Sequence, residues 1–190
     1  MSTQGAIVRT TGNSTFKGVY HHWDSYPSGL GRTLWEMYHG FFKRDCQAMI
    51  KYLIDDHPAG WSTINDSDFN LPAGYQGMDK DPDTYCGPEC YCHGGRSDGP
   101  REVNDQNASG CGIEYVYHLD EGPSLVILSS YHQDGEKMIG AFGSGDPDGE
   151  KMIGAFGSGD PDATWKELAR LPLFGEEPDW KALDQLAYGG

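Results

Sequence analysis

The chain has 190 residues, 27 of them glycine and 11 proline, with 37% hydrophobic and 23% charged residues, enough for one core in a single domain spanning 1–190. Fourteen Lys+Arg against 29 Asp+Glu leave a net charge of −15, a field that repels phosphate backbones and anionic headgroups, so nucleic acid and membrane partners are not expected. No stretch nears the ~18 apolar residues of a membrane span, and the opening MSTQGAIVRTTGNST lacks the basic-then-apolar form of an export signal, so a cytoplasmic location is expected.

Glycine at about twice its usual ~7% share predicts long, turn-rich connections. Ala6–Arg9 and Phe16–Tyr20 are short β-favouring runs separated by Thr-Thr-Gly-Asn-Ser, which reads as an opening hairpin. Next, Leu30, Leu34, Met37 or Tyr38, and Phe41 recur at helical spacing from a start near Ser28. Cys46, Met49, Ile50 and Leu53 continue the period in a second helix beyond Gly40, until Asp55-Asp56-His57-Pro58 stops it. Residues 59–112 lose all periodicity and read as an irregular insert, long enough to need a cross-link such as a metal. Ile113, Tyr115, Tyr117 and Leu119 then alternate with Glu114, Val116 and His118, and a turn at Asp120–Pro123 gives a second hairpin with SLVILSSY. Thr164 and Glu167 fit a capping box opening a helix over TWKELARL, and Pro178, Trp180, Leu183 and Leu186 suit a last short helix.

GEKMIGAFGSGDPD at 135–148 recurs without a difference at 149–162. Two copies without caps do not make a solenoid, so the repeat reads as a recent tandem duplication or an error in assembling the sequence. Each KMIGAF would add a strand beside the second hairpin, and identical copies compete for that one slot.

The expected fold class is therefore α+β: an antiparallel sheet built from the N-terminal and central hairpins, helices packed on one face, and a long irregular metal-braced loop. Met1-Ser2-Thr3-Gln4-Gly5 and the run His22-Trp23-Asp24-Ser25-Tyr26-Pro27-Ser28-Gly29-Leu30-Gly31 resemble a family of small bacterial and phage proteins. Those proteins start M-[SCG]-T-R-[GS] and carry [HN]-[WF]-D-x-Y-P-x-G-x-G. CYCHGGR and EYVYHLD look like its cysteine-bearing branch. The resemblance covers nearly the whole chain and implies one small α+β domain of phage or mobile-element type, without implying a particular activity. Gln4 stands where the family has arginine, and the duplicated segment is one copy too many.

Five cysteines with no export signal argue against a disulfide framework. Cys86, Cys90 and Cys92 with adjoining His93 fall in YCGPECYCHGG, and Cys111 follows. Zinc takes four N or S donors in a tetrahedron, so the candidate set is Cys86, Cys90 and Cys92, with Cys111 or His93 as the fourth. The C-x3-C-x-C-H spacing departs from the usual C-x2-C knuckle, and free thiols or a disulfide remain the alternatives. Cys46 reads as core. His21, His39, His57, His118 and His132 read as ordinary surface or core histidines.

A second candidate is the loop His22–Arg32. A helix start offers free N–H groups, Gly29 and Gly31 permit close approach, Arg32 adds charge, and His22 and Asp24 point the same way if extended. That combination suits a small anionic ligand. In the structural alternative Asp24 caps the turn, Trp23 and Tyr26 fill core, and Pro27-Ser28 start the helix. Together these features lead to the expectation of a non-catalytic accessory protein that binds a host protein or a small anionic ligand and carries structural zinc. The rival is a small hydrolase using His22 and Asp24 or a zinc-activated water.

Overall fold

The computed structural model describes residues 3–12, 15–74, 86–94, 98–119, 124–131 and 164–188. Both copies of the duplicated segment, together with His132, lie outside the described residues.

The opening hairpin forms as expected, β1 (Gly5–Gly12) and β2 (Thr15–His21) pairing antiparallel from Gly5↔His21 to Gly12↔Thr15. The second hairpin is β6 (Tyr115–Leu119) and β7 (Ser124–Tyr131), paired from Tyr115↔Ser129 to Leu119↔Leu125. The two hairpins meet through a parallel seam, Gly5↔Tyr115 to Arg9↔Leu119, so the sheet is mixed. Parallel neighbours require a long crossover, and the chain between β2 and β6 supplies it.

That crossover is less irregular than its composition suggests. Within 59–112 lie three short strands, β3 (Trp61–Thr63), β4 (Glu89–Cys90) and β5 (Glu102–Asn104). The edge of β2 is shared between them: β5 covers Lys17–Val19 antiparallel, and β3 joins parallel at His21↔Trp61. With β8 (Thr164–Pro172) on the far side, the sheet order is β4-β3-β2-β1-β6-β7-β8, with β5 alongside β2.

β8 overturns the helix expected over TWKELARL. Its residues favour helix, but β7 offers an apolar edge whose pairing outweighs that preference. The register slips between Ile127↔Ala169 and Leu128↔Glu167, leaving Leu168 as an extra residue. This bulge puts Leu168 and Leu171 on one face, three residues apart, while Trp165 packs on the other. A β-bulge has reproduced helical spacing. It also means that the edge of β7 offered to KMIGAF is occupied by β8.

The first helix is a π-helical turn, Pro27–Gly31, running into α1 (Arg32–His39) and ending at Gly40. The second is α2 (Cys46–Ile50), capped by the Asp45 carboxylate on the Ala48 N–H, continuing as a π-helical segment Lys51–Asp55. The last, α3 (Trp180–Tyr188), buries Trp180 and Ala187 and leaves Leu186 exposed. All three pack against one sheet face, with Ile7, Val19, Tyr115, Tyr117, Leu125 and Ile127, and Cys46 joins that core as expected. The opposite face (Ala6, Val8, Phe16, Val116) is covered by Val103, Ala108 and Ile113. Among the described residues, no helix is long and apolar enough to cross a membrane.

Candidate metal centre

The C-x-C-H turn follows β4, which pairs antiparallel with β3 (Trp61↔Cys90). That pairing brings the residues just before β3 against those just after β4. His57-Pro58-Ala59-Gly60 is a tight turn, the Gly60 N–H donating to the His57 carbonyl (2.9 Å) with Gly60 at φ +84°, a backbone state that glycine adopts without strain. The Tyr91 N–H then donates to the Gly60 carbonyl (3.0 Å), and the Ala59 N–H to Cys92 Sγ (3.3 Å).

These contacts assemble a group of three donors. One ligating atom from each of His57, Cys90 and His93 lies within 4.8 Å of the others, with Cys90 Sγ 3.2 Å from His93 Nδ1. His57 and Cys90 are buried, and His93 is exposed. His57 Nδ1 is 2.7 Å from the Tyr52 carbonyl, which fixes the N–H on that nitrogen and turns the Nε2 lone pair outward. This is the orientation that a metal-ligating imidazole takes from its outer partner. Trp61 and Tyr52 flank the ring, with centroids at 4.3 and 4.9 Å.

Burial shifts both buried donors toward their neutral forms. Burial pulls His57 below its ordinary pKa; the Tyr52 carbonyl works against this, His93 lowers it further and Asp56 raises it. The imidazole is thus held in the neutral form that binds metals. Burial pushes the Cys90 thiol up, while the backbone N–H groups of Cys92 and His93 pull it down. These donors only partly offset burial, so Cys90 stays above its ordinary pKa and a bound cation would have to displace the thiol proton. The Cys92 thiol sits beside Cys90 and raises its pKa. The arrangement can therefore hold a metal ion, and its Cys and His donors suit a borderline-soft cation.

Of the residues expected to ligate, the structure brings together Cys90 and His93, with Cys92 adjacent. Cys86 is exposed and lies outside the three-donor group. Cys111 packs with the opposite face of the sheet, its Sγ donating to the Asn107 carbonyl (3.0 Å), and burial pushes its thiol up to about 12. The sheet itself separates it from Cys90. His57, expected to be ordinary, is the donor that sequence reasoning missed. No local pattern marks it; only the β3–β4 pairing reveals it.

The His22–Arg32 loop is built differently from the expected anion cradle. The Ser28 N–H at the helix start donates to Asp184 Oδ1 of α3 (2.9 Å), so the chain supplies its own carboxylate there. A Cβ on Gly29 would meet the Asp24 carbonyl at 2.2 Å, and one on Gly31 the Tyr117 and Trp180 rings at 3.1 and 3.2 Å. Both glycines thus permit close approach of the protein to itself. Asp24, at φ 52°, caps through its carbonyl, which accepts from Leu30 N–H (3.1 Å), rather than through its carboxylate. His22 Nδ1 lies 2.8 Å from the Tyr20 hydroxyl, and burial lowers the His22 pKa. Arg32 is exposed and pairs with Glu36 at 2.8 Å. Tyr26 does pack on the core, but Trp23 is 47% exposed.

Comparison with known proteins gives no matching family model, no matching curated protein and no matching solved structure.

Proposed function

We propose that this protein is a non-catalytic accessory protein that acts by binding a partner protein, with a structural zinc ion bracing its long crossover. The carrying observation is the convergence of His57, Cys90 and His93 donors within 4.8 Å, two of them buried. Zinc is the cation that best fits a mixed thiolate and imidazole set. Cys92, whose sulfur lies beside Cys90 and accepts the Ala59 N–H, stands outside the three-donor group and would complete the set by turning its thiol inward as the fourth ligand. A set closed by four side chains favours a structural over a catalytic ion. Such an ion would clamp the 57–60 turn to the turn after β4 and add its binding free energy to folding. A protein partner is preferred to a small anion because Asp184 already holds the Ser28 amide.

Native mass spectrometry and elemental analysis of the purified protein test this directly. One zinc per chain is expected, lost from Cys90→Ala and His57→Ala variants and kept in Cys86→Ser and Cys111→Ser. Folded protein at the bare polypeptide mass, still unable to take up added zinc, would refute the metal reading.

A further inference from the structure

On the helical side of the molecule, α1 and the turn after β3 enclose a groove of about 220 Å³ lined by Thr33, Glu36, Met37, Phe41, Asp66, Ser67 and Phe69. Each wall brings a carboxylate, Glu36 from α1 and Asp66 from the turn. The rings of Phe41 and Phe69 lie 5.8 Å apart at 43°. Phe41 is 41% exposed although its neighbour Phe42 is 9% exposed, so an aromatic ring stands in water beside negative charge. Aromatic faces and carboxylates together favour a cation. A planar guanidinium meets both, stacking on a ring while its N–H groups reach the carboxylates.

The volume is below the ~300–1,000 Å³ of sites for drug-sized ligands, a size suited to one side chain. The chain's charge of −15 draws in basic surfaces and repels acidic ones. The rim already meets one guanidinium: Arg32 Nε donates to Glu36 Oε1 at 2.8 Å, with both side chains 56% exposed. A pair that open to solvent is weak and gives way to a better-placed cation.

We propose that this groove receives an arginine side chain of a basic partner protein. The inference rests on the partner-binding reading above and is independent of the metal. It is tested by NMR titration of the full chain with N-acetyl-arginine amide, with the neutral isostere N-acetyl-citrulline amide as control. Saturable shifts are expected at Met37, Phe41, Asp66 and Phe69 with the arginine compound alone. Glu36→Gln, Asp66→Asn and the surface variant Phe41→Leu should each weaken binding about 2- to 5-fold, the scale of one exposed charge or cation–π contact. Arg32→Ala should strengthen it by removing the internal competitor. Absence of saturable shifts, equal response to the citrulline compound, or unchanged affinity in both carboxylate variants overturns the proposal. Zinc content measured on the same samples reports separately on the metal, so either idea can fail alone.

Discussion

Replacing Cys90 by alanine separates the metal's contribution from that of packing. Cys90 is fully buried against the helical core, so losing one heavy atom from the metal-free protein should cost about 1 kcal/mol, the scale of one buried methylene. With zinc a hundredfold above its Kd, the wild type gains a further ~2.7 kcal/mol. At about 2–4 °C per kcal/mol for a chain of this size, chelation should lower the wild-type Tm by roughly 5–11 °C. The Cys90→Ala variant should melt roughly 2–4 °C below the metal-free wild type and not respond to zinc or chelator. The assay is thermal unfolding by circular dichroism at matched free zinc. An unmoved wild-type Tm on chelation, or a variant that still rises with zinc, would refute the reasoning.

Three further outcomes follow from the geometry. His21 is fully buried, with Nδ1 2.7 Å from Ser25 Oγ and Nε2 accepting the Ile64 N–H (3.2 Å); burial, with His22 beside it, lowers its pKa to about 3. Its neutral form is the native one, so its stabilisation is complete above the unfolded pKa near 6.5 and is lost as pH falls toward 3, by at most ~1.4 kcal/mol per pH unit. Denaturant titrations between about pH 5 and 6.5 should show a shallower pH slope in His21→Asn than in wild type, and an equal slope counts against this assignment. Gly29→Ala, whose Cβ would strike the Asp24 carbonyl at 2.2 Å, should cost more than about 2 kcal/mol, while Gly99→Ala, with nothing within 4 Å, should stay within about 0.5 kcal/mol. Asp184→Ala leaves the Ser28 N–H without its acceptor and should cost about 1 kcal/mol by denaturant unfolding, as loss of a helix cap does.

What the sequence disclosed was local. Both hairpins and the first two helices could be read because their patterns are completed within a few residues: Tyr115, Tyr117 and Leu119 point to the helical face and Val116 to the other. Cys90 and His93 were legible for the same reason, lying three residues apart on one turn. His57 was not, since what makes it a donor is a strand pairing 33 residues further on, between Trp61 and Cys90. Cys111 misled in the opposite sense, near in sequence and chemically apt but beyond the sheet. TWKELARL failed through ambiguity: a bulge at Leu168 gives strand residues the spacing of a helix, and only the open edge of β7 decides between them.

The parallel seam between the hairpins has a consequence for how the chain is made. Gly5 pairs with Tyr115, so β1 leaves the ribosome some 110 residues ahead of its second neighbour, an interval of roughly 5–20 s at ordinary elongation rates. During that time the nascent hairpin carries an open edge on β1, and one on β2 until β3 and β5 emerge, each a template for mispairing with other chains, and a two-stranded ribbon alone is barely stable. The order of synthesis thus makes closure of this seam a late event, and the β1 edge stays open to mispairing until Tyr115–Leu119 emerges.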